Sequence, residues 1–310
     1  MSSIRGRDFL TIWDLSASEL LEVLNRAIEV KQRKTSFTES LLSGKSIALL
    51  FQKPSTRTRV SFEVGIRQLG GQPIYLNWSE LQLSRGETIS DTVKVLERYV
   101  DCIIARVYNH RDLEVMAEKA SIPIINALSD SHHPCQALAD YLTIMEKMGK
   151  LRGVNLTFIG DGGNNVCTSL IQGASRLGVN ITICSPKKYM PSEDLIEKAR
   201  EEAAKHGAKI SLTEDPKEAV KEADFIYTDV WVSMGKEKEA EERLRDFKPY
   251  QVNLELLKHA PQHSMVMHCL PALRGLEITN EVLDSPRAIV WEQAENRLHV
   301  QKSLLAMILS

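Results

Sequence analysis

A chain of 310 residues, 43% hydrophobic and 26% charged, has globular proportions that give a disordered, collagenous or membrane protein little support, and its length predicts two α/β-sized domains. The formal charge of -2 supplies no global basic field for nucleic acid, so an anion site has to come from a local cluster of arginines and backbone donors. Cys102, Cys135, Cys167, Cys184 and Cys269 are odd in number, scattered and free of CxxC spacing; a disulfide framework or zinc ribbon is not expected, and a reducing cytoplasm fits.

The N-terminal Ser2–Asp8 has no apolar stretch behind its charges, and no later run approaches a membrane span, so neither export nor insertion is expected. Ser16-Ala17-Ser18-Glu19 has capping-box spacing, and Leu20, Leu21, Leu24 and Ile28 recur at helical spacing behind it, predicting an opening helix. Short apolar runs then alternate with amphipathic stretches. Ser46–Phe51, Pro73–Asn77, Cys102–Arg106 and Ile122–Asn126 read as strands, a βα repetition that predicts a parallel sheet. Glycines and charges interrupt the pattern over Lys147–Gly153, and a domain boundary is expected there, between residues 149 and 150. A second βα series follows through Val154–Ile159, Asn180–Cys184, Lys209–Leu212, Phe225–Asp229 and Ser264–His268, predicting a second parallel sheet. The closing stretch from Glu292 to Leu309 has largely helical spacing. The fold expected is therefore α/β, with two doubly wound parallel-sheet domains.

Ser55-Thr56-Arg57-Thr58-Arg59 follows a predicted strand and leads into a helix pattern over Val60–Leu69. Hydroxyls, amides and the dipole at a helix start bind anions, and arginines add bidentate bonds to phosphate oxygens; an ordinary N-cap with solvated arginines is the plain alternative. Arg106 closes a predicted strand, where an arginine is more often a surface residue. His133-Pro134-Cys135-Gln136 stands before the helix pattern Ala137–Met148, with Pro134 suited to a first turn; a lone histidine there is more often structural than catalytic.

In the second half, Gly160-Asp161-Gly162-Gly163-Asn164-Asn165 follows a strand but lacks GxGxxG spacing, which speaks against a dinucleotide loop. Asp229-Val230-Trp231-Val232-Ser233-Met234-Gly235 begins at a strand's end, where α/β sheets place ligands, although Asp229 alone could be a turn or cap. His268-Cys269-Leu270-Pro271 follows another strand; a free cysteine beside a histidine is usually inert packing and less often a metal ligand or nucleophile, and no further Cys or His lies at ligand spacing. Glu292–Arg297 alone would pass for a helix start.

Together, Phe51–Arg59, the HPCQ segment, the GD..NN turn, the DxxxSMG loop, HCLP and Gln293-Ala294-Glu295-Asn296-Arg297 resemble, in order and spacing, the motifs of the aspartate/ornithine carbamoyltransferase family. The resemblance runs from Phe51 to Arg297. It implies a carbamoyl-phosphate-binding domain over residues 1–149, an ornithine-binding domain over 150–291, and a C-terminal helix, 292–310, that returns to the first domain. It implies transfer of the carbamoyl group of carbamoyl phosphate to the side-chain amine of L-ornithine, giving L-citrulline and phosphate in arginine metabolism. Phosphate contacts are implied for Ser55, Thr56, Arg57, Thr58 and Arg106, carbonyl polarisation for Arg106, His133 and Thr58, and a place in the same carbamoyl-phosphate site for Arg297. Pro134, Cys135, Gln136, Cys269 and Leu270 would complete the carbamoyl site, with Gln82 reaching in from a neighbouring subunit. Asn165, Asp229, Ser233 and Met234 would hold ornithine, and Asp229 with Cys269 would position its amine and help remove the proton. Neither cofactor nor metal is implied, and the assembly would be a homotrimer or a multiple of one, without nucleic acid or membrane.

Relatives acting on aspartate, putrescine or acylated ornithine are the nearest alternatives, and DxxxSMG with HCLP weighs against them. A Rossmann-type oxidoreductase or nucleotide-binding regulator, and a family member that has lost catalysis, are further ones; Arg57, Arg106, His133 and Cys269 are all present. Ala272–Ile278 is shorter than the insertion some ornithine enzymes carry there.

Overall fold

The computed structural model describes residues 4–32, 41–233 and 235–310. The chain forms two compact units, Met1–Leu142 with Glu295–Ser310, and Thr143–Ala294. It passes between them inside two helices, Pro134–Met148 and Val290–Leu309. Among the described residues no helix is long and apolar enough to cross a membrane.

The first unit is built on strands β1 (Ser46–Phe51), β2 (Gln72–Asn77), β3 (Cys102–Arg106) and β4 (Ile124–Leu128), all parallel and ordered β2-β1-β3-β4. β3 and β4 are buried at every residue and β1 at all but its first, which is why their sequences are continuous apolar runs rather than alternating ones. From β1 the chain first moves to one side, to β2, and then crosses to the other, to β3. The order thus reverses between β1 and β3, the place where doubly wound sheets open a crevice at their C-terminal strand ends. Phe51 and Arg106 are register partners there. The opening helix, Ala17–Gln32, buries Leu20, Val23, Leu24, Ala27 and Val30, and its capping box forms through Glu19 N–H to Ser16 Oγ at 3.3 Å and Ser16 N–H to the Glu19 carboxylate at 2.8 Å. The C-terminal helix returns to this unit: Ser303 Oγ donates to Val23 O at 2.8 Å and Lys302 Nζ to Gln68 Oε1 at 3.0 Å. Gly65 lets the two helices approach closely: a Cβ there would stand 3.2 Å from Lys302 Cγ, a tight contact.

The second unit carries β5 (Asn155–Ile159), β6 (Asn180–Cys184), β7 (Ile210–Thr213), β8 (Phe225–Thr228) and β9 (Met265–His268), again parallel, ordered β7-β6-β5-β8-β9. The reversal falls between β5 and β8, whose last residues Ile159 and Thr228 are partners. Both units therefore repeat one plan, as the βα repetition predicts. Boundaries shift slightly: the helix expected at Ala137 begins at Pro134, a first-turn position where a missing N–H costs nothing, and β8 stops at Thr228, so that Asp229 lies just beyond the strand.

Candidate active site

In the first unit, Gln52 N–H donates to Arg106 O at 2.8 Å and Gln52 Oε1 accepts from Tyr108 N–H at 2.7 Å, tying together the chain ends that leave β1 and β3. The chain turns at Pro54, and Ser55 Oγ caps the helix Thr56–Gln68 by accepting from Thr58 N–H at 3.3 Å. The first amides of a helix lack intrahelical partners, so this turn presents donors beside the Arg57 side chain. Arg297, from the C-terminal helix, donates to Thr58 Oγ1 at 3.2 Å and to Gln136 Oε1 at 2.8 Å. Gln136 in turn donates to Asp140 Oδ1 at 2.8 Å. One network thus links three helices around the end of β1.

Arg106 is only 6% exposed, and its buried Nε has no hydrogen-bond partner among the described residues. Burial, then the Arg297 and Arg57 charges, pull its pKa down to about 10, so it stays cationic at neutral pH but at a cost. His133, buried, is held well below the ordinary imidazole range by burial and then by Arg297, Arg106 and Arg57; its ring is neutral at pH 7. Three cations and a neutral imidazole at the reversal point have the chemistry to attract an anion and to polarise a carbonyl beside it. Pro134 is buried at the helix start. Cys135 turns its thiol to β4, donating to Asn126 O at 3.4 Å, and burial pushes its pKa up to about 12. Gln82 lies apart from this network, exposed on the turn Gln82–Arg85.

In the second unit, Asp229 is buried immediately after β8. Its Oδ1 accepts from Cys269 Sγ at 3.1 Å and from Val230 N–H at 2.8 Å, and its Oδ2 from Asn164 at 3.2 Å. Burial is the largest influence on the carboxyl and raises its pKa, with the His268 ring, the Cys269 thiol and the Val230 amide opposing. Asn164 also caps the helix Asn165–Leu177, accepting from Cys167 N–H at 2.7 Å. The sequence pointed to Asn165, which begins that helix half-buried; Asn164 is the residue it missed. Ser233 is half-buried, and Met234 lies outside the described residues.

Leu270 adopts a positive φ of 57° and precedes a cis proline. Its N–H donates to His268 Nδ1 at 2.8 Å, which places the imidazole proton on Nε2, 3.0 Å from Glu277 Oε1. Both side chains are 0% exposed. This pair holds the Leu270 backbone at a positive φ that costs a leucine about 1 kcal/mol or more and so fixes where Cys269 and the Leu270 carbonyl point. Asp229, His268 and Cys269 bring ligand atoms within 4.8 Å of one another, a cluster that Cys and His spacing does not reveal because its third member is a carboxylate. Both imidazole nitrogens are already engaged, so a metal would have to break one of these bonds. The residues do not fit a resident ion.

Two family models match the chain: "Aspartate/ornithine carbamoyltransferase, carbamoyl-P binding domain" over residues 7–146 and "Aspartate/ornithine carbamoyltransferase, Asp/Orn binding domain" over residues 152–308. The chain belongs to the aspartate/ornithine carbamoyltransferase family. Among family members, the ornithine carbamoyltransferase of Pyrococcus horikoshii is 53% identical over 308 residues, covering 99% of this chain and 97% of its own. The solved structure of ornithine carbamoyltransferase from Pyrococcus furiosus superposes with a TM-score of 0.95 at 53% identity, covering 100% of this chain and 99% of that one. The enzyme from Thermus thermophilus follows at 0.89 and 41%, covering 98% and 99%. The family's carbamoyl-phosphate match spans Ser55–Thr58, Arg106 and His133–Gln136, whereas its Asp/Orn match spans Asn164, Asp229 and His268–Leu270. Arg297 falls in the second match although its side chain bonds within the first unit.

Proposed function

We propose that this chain transfers the carbamoyl group of carbamoyl phosphate to the side-chain amine of L-ornithine, releasing L-citrulline and phosphate. The observation that carries the choice of amine is the buried Asp229 carboxyl bonded to the Cys269 thiol and to Asn164: an acidic, hydrogen-bonding pocket suits an ammonium and would repel the second carboxylate of aspartate. Relatives at 53% identity bear the name ornithine carbamoyltransferase, in keeping with this reading.

The chemistry then divides between residues. Ser55, Thr56, Arg57 and Thr58, with Arg297, take the phosphate. Arg106 and neutral His133 polarise the carbonyl, and Gln136, the backbone of Pro134 and Cys135, and the Cys269–Leu270 turn receive the rest of the carbamoyl group. Asn165, Asp229, Ser233 and Met234 hold ornithine. An ammonium with a pKa of ~10.4 must lose a proton first, at a cost of roughly 4–5 kcal/mol at neutral pH. Asp229, whose pKa burial raises, is suited to receive that proton beside Cys269. The amine nitrogen then attacks the carbonyl carbon, the C–O bond to phosphate breaks, the second proton the nitrogen sheds leaves with the departing phosphate, and the cations stabilise the charge that develops on it.

The setting proposed is arginine biosynthesis in the cytoplasm; the Pyrococcus furiosus relative is named anabolic. A homotrimer, or a multiple of one, is the proposed assembly, with Gln82 serving a neighbour's Ser55–Thr58. Exposed Gln82 and the exposed apolar side chains of Val60 and Ile74 on the same unit support it. Refolding Arg57→Ala and Gln82→Ala chains together should regain activity that neither shows alone, because some interfaces of a mixed ring carry neither lesion. Mixed rings as inactive as their parents would end the shared-site idea. The substrate itself is tested by product formation from carbamoyl phosphate with ornithine, N-acetylornithine, putrescine and aspartate in parallel. Ornithine should lead by at least ~10² in kcat/KM, and a faster rate with any other amine overturns the assignment.

A further inference from the structure

Among the described residues, Arg243 is a buried cation that the mechanism does not use. Arg243, on the helix Ala240–Phe247, is 4% exposed. Its Nη1 donates to Asp161 Oδ2 at 2.6 Å and to the Trp231 carbonyl at 3.1 Å, and its Nε donates to Glu239 at 2.8 Å. The guanidinium carbon also stands 4.8 Å from the centre of the Tyr189 ring.

Each partner belongs to a segment that shapes the amine pocket. Asp161 opens the turn that leads to Asn164 and Asn165, and its other oxygen accepts from Gly163 N–H at 3.1 Å. That turn presses against the Tyr189 segment: a Cβ on Gly162 would lie 2.8 Å from Pro191 and 3.0 Å from Tyr189 O. Trp231 lies between Asp229 and Ser233, and its ring stacks at 6.1 Å on Phe247 of the arginine's own helix. Glu239 closes the stretch in which Glu237 accepts from Gly235 N–H at 3.0 Å. One side chain thus holds both ligand-bearing segments to the same helix, without belonging to the Asp229, Asn164 and Cys269 cluster.

We propose that Arg243 is a positioning residue for the amine substrate, clamping the Gly160–Asn165 turn to the Asp229–Ser233 loop so that Asn164 and Asp229 meet at bonding distance. The inference rests on the proposed ornithine reading for its substrate and on the bonds above for the clamp. A fork that must reach a carboxylate and a carbonyl while lying on an aromatic ring needs guanidinium, and lysine reproduces only the charge.

The test uses the full chain as wild type, Arg243→Gln, Arg243→Lys and the double variant Asp161→Asn/Arg243→Gln, which removes the buried acid left without its partner. Arg243→Gln should raise KM for ornithine about tenfold or more while KM for carbamoyl phosphate stays within about twofold, since a loss of alignment acts on the substrate it aligns. Arg243→Lys should recover part of this. The double variant should recover thermal stability but keep the raised ornithine KM, a separation that a merely structural role would not give. Hydrogen exchange in peptides covering Gly160–Asn165 and Asp229–Ser233 should accelerate in Arg243→Gln, with β5 and β8 unchanged. Unchanged exchange in those peptides, or an ornithine KM that returns to the wild-type value together with stability in the double variant, overturns the clamp. If Arg243→Gln does not fold, the lysine and double variants are compared with wild type by the same two readouts. A wild-type chain that makes no citrulline overturns the substrate reading instead, and exchange still tests the clamp.

Discussion

The two units share a topology but solve opposite electrostatic problems. At the β1/β3 reversal the first unit gathers Arg57, Arg106 and Arg297 so closely that their mutual repulsion helps to lower the Arg106 pKa. At the β5/β8 reversal the second unit buries an acid, Asp229, and satisfies its oxygens with a thiol, a main-chain amide and Asn164. The first unit concentrates positive charge at its strand ends; the second aligns hydrogen-bond donors around a buried acid. The same strand plan accommodates both because the chemistry sits on loops at the strand ends, and the sheets only bring those ends together.

The largest effect expected from breaking this contrast lies in the cation cluster. Arg57→Ala should reduce kcat by ~10² or more, as removal of a preorganised charge commonly does. Because it also relieves repulsion on Arg106, its unliganded melting temperature should not fall. A melting temperature well below wild type would show that Arg57 supports the fold.

Asp229→Asn sharpens the contrast from the other side. Burial raises the folded pKa above the ordinary value of 3.8, so the carboxyl binds its proton more tightly folded than unfolded. Its contribution to stability is full below that ordinary value and is lost as pH rises through the folded pKa. At neutral pH the ionised group is a cost. The amide variant should therefore be at least as stable at pH 7 while losing on the order of 10² in kcat/KM for ornithine; normal turnover would remove Asp229 from the chemistry.

Much of this contrast was legible in the sequence, and what was not has a common cause. Apolar runs match β1 and β3 to the residue, since a strand buried on both faces needs them, and the alternation in Asn180–Cys184 matches β6, which is buried at Ile181, Ile183 and Cys184 and only partly at Asn180 and Thr182. Local motifs placed Ser55–Thr58, His133–Gln136 and Asp229 at strand ends. Arg243 and Glu277 carried no such signal, and Asn164, though part of the GD..NN turn, carried none for its partner. Asn164 meets Asp229 across 65 residues and Arg243 meets Asp161 across 82, pairings that no local spacing encodes. Glu277 is nearer, nine residues from His268, but neither helical nor strand period predicts that contact. Gln136 and Arg297 were legible as motifs, yet only the fold shows that they bond each other.

A smaller effect is expected beside the cation cluster. His132 packs its ring 4.7 Å from His110, and its pKa is pushed down to about 4, first by burial and then by His110, with Asp130 and Glu114 opposing. His133 shifts in the same direction. A depressed imidazole contributes stability that is full above the unfolded value and lost as pH falls, here between 6.5 and about 4. His132→Phe should flatten this acid limb by up to about 3 kcal/mol, given about 1.4 kcal/mol per pKa unit, with activity at neutral pH retained. Chemical denaturation across that range checks it, and an unchanged limb would shift the acid sensitivity to other groups.

The division of labour between the units is tested most directly by the two Michaelis constants of the same two variants. Arg57→Ala should raise KM for carbamoyl phosphate and leave that for ornithine within about twofold, and Asp229→Asn should do the reverse, because each removes a contact to one substrate only. Both variants raising the same constant, or each raising both equally, would contradict the account.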